Sequence, residues 1–361
     1  MGTSAFQAAG LIWFVIFVYA LAGSVDMGAT FWRMVFAHTG QREAERIADK
    51  YVSPLWEAAN VFLVLIAVAI AGFFPGASFV YGTVLLLPVS AVLVLLALRG
   101  SFLAFAHAAP NPPRALWDIT GVTGILLPAL LITVLPISQG GFVTGGSAHP
   151  SLAYRHVLSP EMVAYVVFGA AACLFISATF LADYAHTAHA PQARAAYRRQ
   201  AIWSGPLMMV AGVAAVFIDP SSLWIHQRIL PEWPWFLGSL IAFGLGLLTL
   251  WWPSGGRPRW TVVLIGIQLA LADIGYGIAH SPYLLYPQVP TVAGFSNEAM
   301  FADLLWVVVI GICLLAPGFV WLWRLFILDP RYTSSIAGTQ ERGATDAQAS
   351  SSKKGSGPGQ V

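Results

Sequence analysis

SPLWEAANVFLVLIAVAIAGFFP, residues 53–75, reads as a membrane-spanning helix with a carboxylate, Glu57, close to its start. From Leu55 to Phe74 the run is 20 residues long with one charge. At about 1.5 Å per residue that length crosses a hydrocarbon core of roughly 30 Å. Ser53 reads as the N-cap and Pro54 as the first helical residue, where a missing N–H costs nothing. An acid placed where a helix enters lipid is expensive, so Glu57 calls for a reason.

Working outward, the same character fills the chain. Of 361 residues, 58% are hydrophobic and 9% charged, with mean hydropathy +0.73. Soluble domains carry about a quarter charged residues, so this is a polytopic, all-α membrane protein. Nine segments reach spanning length, near 7–35, 54–74, 78–98, 116–137, 161–183, 201–218, 234–252, 259–280 and 300–326. The net charge of +2 implies no nucleic-acid surface, because the basic residues sort by side of the membrane. Arg33, Arg99, Arg114, Arg194 and Arg259 belong to a set of 16 on one side; Arg155 and Arg228 alone fall on the other, of 18 in all. The positive-inside rule therefore puts the N-terminus outside and the C-terminus in the cytoplasm. The first segment lacks a basic n-region and reads as a retained helix.

The loop at 138–160 divides helices 1–4 from helices 5–8. Ala29-Thr30-Phe31 near the end of helix 1 is echoed by Ala178-Thr179-Phe180 near the end of helix 5, a faint sign of two similar halves. From Thr333 the tail is Ser, Gly, Ala, Thr and Gln without apolar periodicity, and reads as disordered.

With orientation set, the acids take depths. Asp26 lies late in helix 1, Glu57 opens helix 2, Asp118 opens helix 4 and Asp183 ends helix 5, all towards the cytoplasm. Asp273 is in the outer half of helix 8, and Glu298 and Asp303 flank the start of helix 9 as interface acids. Carboxylates relay protons in membrane enzymes, which gives one reading. The other is structural: Glu57 and Asp118 complement helix N-termini, while Asp26 and Asp183 pair with Arg33 or a neighbouring helix. The eight histidines fall in loops or at helix ends, with His280 at the outer end of helix 8, a poor arrangement for a transmembrane haem. His186 and His189, three apart on one helical face, have a spacing that suits a metal, but beside Arg194, Arg198 and Arg199 they read as part of a solvated cytoplasmic turn, and Cys173 and Cys313 lie inside apolar runs without metal-site spacing. Most of the 14 tryptophans fall near predicted interfaces and read as an aromatic belt.

Trp56-Glu57-Ala58-Ala59-Asn60-Val61-Phe62 resembles the start of the second helix in subunit II of the cytochrome bd-type quinol oxidases, where a Trp-acid-x-Asn-x-Val-Trp pattern stands. Asp26-Met27-Gly28 resembles that family's helix 1 element. So do Tyr283-Leu284-Leu285-Tyr286-Pro287, Asn297-Glu298, Pro317-Gly318-Phe319 and Trp323-Arg324-Leu325-Phe326 its closing block. Phe62 replaces the second tryptophan, Ala58 the usual glycine, and the first of two helix 1 acids is missing.

The resemblance implies two four-helix bundles, residues 1–145 and 146–284, plus a peripheral ninth helix at 285–332 and a tail at 333–361. It implies a haem-free subunit of a terminal quinol oxidase in the bacterial cytoplasmic membrane. The partner would be a larger subunit I carrying the haem b and haem d-type groups, the quinol site and the oxygen-reducing centre. Small accessory subunits, lipid and quinone complete the expected surroundings. Glu57, Asp26 and Asp118 are the expected proton-path acids, with Trp56, Asn60 and Phe62 as motif neighbours. The competing class is a proton-coupled transporter whose two halves enclose a substrate.

Overall fold

The computed structural model describes residues 2–109, 112–140, 143–144, 147–148, 159–218, 223–252, 258–296 and 298–323; within these, the side chains of 51–58, 107, 143–148, 223, 258, 300, 308, 312 and 314–323 are outside the description. The tail from 333 also lies outside it. Thirteen helices follow one another: α1 Gly2–His38, α2 Arg42–Phe73, α3 Pro75–Val84, α4 Leu86–Ala108, α5 Arg114–Leu131, α6 Val134–Ser138, α7 Pro160–Thr187, α8 Pro191–Phe217, α9 Leu223–Ile229, α10 Trp233–Trp251, α11 Pro258–His280, α12 Thr291–Gly294 and α13 Glu298–Trp323. Two small antiparallel pairs, β1 (Val143–Thr144) with β2 (Ser147–Ala148) and β3 (Tyr283–Leu285) with β4 (Val289–Pro290), are the strands among the described residues.

Seven helices are long and apolar enough to cross a membrane among the described residues, and six of them overlie predicted segments; the third predicted segment, 78–98, breaks at Leu85 between α3 and α4, so the spanning helix there is shifted to Leu86–Ala106. Shorter apolar helices at Ala59–Phe73 and Phe301–Gly311 fall on the second and ninth. Residues 1–300 form one compact unit and 301–361 a second.

Within the first unit, α1 packs on α2, α5 and α7, α4 on α5, α7 on α8, and α11 on α7 and α10. Lipid gives helices no hydrophobic reason to associate, so close approach of small residues supplies the contact. Gly28 of α1 faces α7 so closely that a Cβ there would stand 2.1 Å from Ser177 Oγ. Gly124 of α5 meets the Met27 carbonyl at 2.4 Å from its would-be Cβ, which fixes α5 against α1. Across the α1–α7 seam Trp32 Nε1 donates to Ser177 Oγ (3.0 Å), which donates to the Cys173 carbonyl (2.6 Å). In the echoed Ala-Thr-Phe triplets Ala29, Thr30, Ala178 and Thr179 are all buried, and Ala29 and Ala178 share one core cluster.

Three sequence expectations are corrected. The second helix starts at Arg42, not at Ser53, so Ser53 is no cap and Pro54 lies in the helix interior. Its first turn holds Glu43 and Glu45; Glu57 comes fifteen residues after Arg42, beyond reach of the helix's positive end. Likewise α5 starts at Arg114 with no acid in its first turn, so Asp118 does not cap it. Finally, Trp32 and Trp117 are 5% and 8% exposed core residues and not part of an aromatic belt.

The extra turns of α2 have a packing reason. Ala44, Ile47 and Ala48 are buried in the main core, and Tyr197 of α8 donates its hydroxyl to the Ala44 carbonyl at 2.7 Å. Glu43 Oε2 accepts from the Ala193 N–H at 2.7 Å, serving the first turn of α8, whose N-cap Ala190 has no side chain able to do so.

Candidate functional site

Arg99 lies in the middle of α4, within LVLLALRGSFLAF (residues 93–105), and not at a helix end as the charge census assumes. It is 1% exposed. Its guanidinium Nη1 stands 2.9 Å from Oδ2 of Asp26 on α1, also 1% exposed, and Nη2 donates to the Asp26 carbonyl at 3.2 Å. Of the two expected partners for Asp26, Arg33 or a neighbouring helix, the structure shows the second. Arg33 turns instead to Asp49 (2.8 Å) and Glu45 (3.8 Å) on α2, and covers the Trp117 ring at 3.3 Å from its centroid.

The Asp26–Arg99 contact is close enough for an ion pair, yet its angles do not make a hydrogen bond, so neither carboxylate oxygen has a directed donor. Arg99 Nε and the buried Tyr19 hydroxyl are also unpartnered. Two charges removed from water need more than each other to offset desolvation, because their remaining lone pairs and protons stay unsatisfied. A buried ion pair with unsatisfied polar atoms on both partners makes this place the candidate site. Tyr19 packs with Met27, Leu127 and Cys173, and Phe62 of the α2 motif lies against this cluster.

A line of polar groups runs from the pair to the α1–α5 end. His38 Nδ1 of α1 is 3.7 Å from Asp118 Oδ1 of α5, both substantially exposed. From Asp118, α5 runs back along α1, with Gly121 against Met34 and Gly124 against Met27 and Thr30. Asp26 is twelve residues from His38, about 18 Å along a helix. Buried hydroxyls of Thr120, Thr123 and Thr30 occupy that interval, each donating to a carbonyl of its own helix at 2.7–3.1 Å.

Asn60 is half-buried on α2 and Ala59 fully so. The side chains of Trp56 and Glu57 lie outside the described residues, so the structure neither joins them to this site nor separates them from it. Arg99 and the threonines are what sequence reading misses. The signal for Arg99 is that the apolar run continues on both sides of it; the threonines carry no comparable mark.

No group of three His, Cys, Asp or Glu that could hold a metal occurs among the described residues. His280, 3% exposed, is enclosed by the rings of Trp13, Tyr276 and Trp224, with Nε2 at 3.2 Å from the Leu284 carbonyl. Beside it Gln139 donates from Nε2 to the hydroxyls of Tyr165 (2.7 Å) and Tyr276 (2.6 Å), while Trp224 Nε1 donates to the Gln139 carbonyl (2.6 Å).

Comparison with known proteins accounts for nearly the whole chain. The family model for cytochrome bd terminal oxidase subunit II matches residues 5–326. A cytochrome bd menaquinol oxidase subunit II of Bacillus subtilis is 37% identical over 340 residues, 92% of this chain and 98% of that protein. The solved bd oxidase of Geobacillus thermodenitrificans contains a chain with TM-score 0.78 and 34% identity, covering 91% of this chain and 99% of its counterpart. These relatives are subunits of a quinol-oxidising respiratory oxidoreductase, and with the apolar helices they place this protein in the bacterial inner membrane as a multi-pass subunit. The chain belongs to the cytochrome bd terminal oxidase subunit II family.

Proposed function

We propose that this chain is a haem-free integral subunit that stabilises a larger haem-bearing subunit I and delivers protons to it from the cytoplasm. In this reading subunit I holds the haem b and haem d-type groups and oxidises quinol. The present chain spans the membrane nine times, as two four-helix bundles and a peripheral helix, with its N-terminus outside. The positive-inside distribution supports that orientation.

The observation that carries the proton-delivery reading is the buried Asp26–Arg99 pair, with unsatisfied polar atoms on both partners. Arg99 holds the negative charge in place, and Asp26 exchanges the proton. Asp118 is the solvent-exposed collecting acid, and Thr120, Thr123 and Thr30 line the way between them. Glu57, fifteen residues after Arg42, has no helix end to complement, and we assign it to the same proton path. Asn60 and Phe62 set its surroundings.

Glu57→Gln in the assembled, haem-replete complex tests this reading. Oxygen consumption with excess quinol should fall at least tenfold while subunit stoichiometry and the haem spectrum stay unchanged, since general proton transfer by a placed group contributes about 10²-fold or more. Undiminished turnover would remove Glu57 from the path.

A further inference from the structure

Around the Asp26–Arg99 pair four buried polar atoms have no hydrogen-bond partner: both carboxylate oxygens, Arg99 Nε and the Tyr19 hydroxyl. Tyr19, Gly23 and Asp26 stand at i, i+4 and i+7 of α1 and so share one face. The Tyr19 ring lies along that face over Gly23: a Cβ there would stand 3.3 Å from Cε2 and 3.4 Å from Cζ, the carbon that bears the hydroxyl. The ring therefore carries its hydroxyl one turn towards Asp26, and Gly23 puts no side chain in between. Positions three apart on a helix have Cβ atoms about 5–6 Å from each other. Hydroxyl and carboxylate are not bonded directly, so the separation left to them is of the size that a single water spans. Met27, Leu127 and Cys173 close the apolar side, and the Cys173 thiol is already given to the Ser24 carbonyl at 3.4 Å.

We infer that one water molecule is bound here, accepting from the Tyr19 hydroxyl and Arg99 Nε and donating to the Asp26 carboxylate, with Tyr19 as the residue that positions it. The unpartnered atoms are two donors and two acceptor oxygens, and a water offers two lone pairs and two protons in return. Buried waters typically make about three hydrogen bonds to polar groups that lack other partners. An ion fits worse. The carboxylate and the guanidinium cancel, so a cation would be held against Arg99 and an anion against Asp26, each beside a like charge away from solvent. The position of the water stands on this geometry; its use rests on the proton-delivery reading. Thr30, the nearest hydroxyl of the line towards Asp118, donates to the carbonyl of Met27 in its own helix. The water is then the neighbour with which the Asp26 carboxyl shares a proton, and Tyr19 acts through it from the N-terminal side of α1.

The test is a cryo-EM map of the complex with its partner subunit, sharp enough to show other buried waters, for wild type and for Tyr19→Phe, which keeps the ring on Gly23. Wild type should show one peak about 2.7–3.2 Å from Tyr19 Oη, Arg99 Nε and an Asp26 oxygen. Tyr19→Phe should lose that peak with the ring and the haem content unchanged. Its oxygen consumption should fall about fivefold, the worth of one net hydrogen bond. The solvent deuterium isotope effect should rise with it, which lost packing alone would not produce. A wild-type map without the peak, a peak undisturbed in Tyr19→Phe, or a direct Tyr19–Asp26 bond would overturn the water. Unchanged turnover and isotope effect in Tyr19→Phe would overturn the positioning role. Full turnover in Asp26→Asn is a separate failure, since it removes the proton-delivery reading while the two maps still decide the water.

Discussion

Removing one partner of the Asp26–Arg99 pair and then both separates structural from catalytic use of the same carboxylate. Each side chain is 1–2% exposed, so solvent screening does not weaken the contact. Arg99→Leu alone leaves a carboxylate buried without its cation, and Asp26→Leu leaves the guanidinium; each should cost about 3–5 kcal/mol. The double variant places two apolar side chains where two desolvated charges stood and should recover most of that loss, since such replacements are often neutral or stabilising. A coupling energy above about 2 kcal/mol is therefore expected in a double-mutant cycle. The cycle is read by chemical unfolding of the purified complex in detergent, followed by tryptophan fluorescence and haem absorbance. Oxygen consumption is then measured on the same four proteins. The double variant should be stable and slow, because stability returns without the proton carrier. Two results refute the reasoning. Additive single costs, within about 0.5 kcal/mol, would mean that the ion pair is energetically idle. Full turnover in the stable double variant would make Asp26 structural only.

Gly28→Ala should weaken assembly. The new Cβ meets Ser177 Oγ at 2.1 Å and the Cys173 carbonyl at 3.0 Å, so overpacking by about 1–3 kcal/mol is expected and shows as lost haem content after purification. Glu43→Ala removes the side chain that bonds the Ala193 N–H and should destabilise the cytoplasmic end of α8 by about 1 kcal/mol, visible as faster amide hydrogen exchange over residues 191–197 with turnover unchanged.

The membrane-crossing segments were legible because apolar length is a local property, and six of the seven long spans overlie the predicted segments, the third being shifted beyond a break at Leu85. Helix starts were not. The stretch Arg42–Tyr51 is polar on one side and ordinary in helix propensity, so a reading tuned to lipid stops at Ser53, while the contacts that hold those turns come from α8, some 150 residues away. The candidate site was half visible. Asp26 and Asp118 announce themselves as acids in or beside apolar runs, but beyond its neighbour Arg33 a sequence offers Asp26 only an unnamed residue of a neighbouring helix. Its actual partner is 73 residues distant, on a helix whose length the charge census cuts short at that same arginine. Trp32 and Trp117 misread for a related reason: an indole near a helix end suits a headgroup belt and a close helix seam equally well.

The continuity of α2 makes it a single measuring rod. Its 32 residues, about 48 Å of helix, join the turns fastened by Glu43 and Ala44 to α8 with the apolar stretch that ends at Phe73. No second cap intervenes to absorb an error in register. The depth and facing of Trp56, Glu57 and Asn60 are thus calibrated from the cytoplasmic fastening: deleting one residue between Arg46 and Lys50 would rotate everything beyond it by about 100° and draw it in by about 1.5 Å. The motif's spelling then matters no more than the length of the handle that holds it.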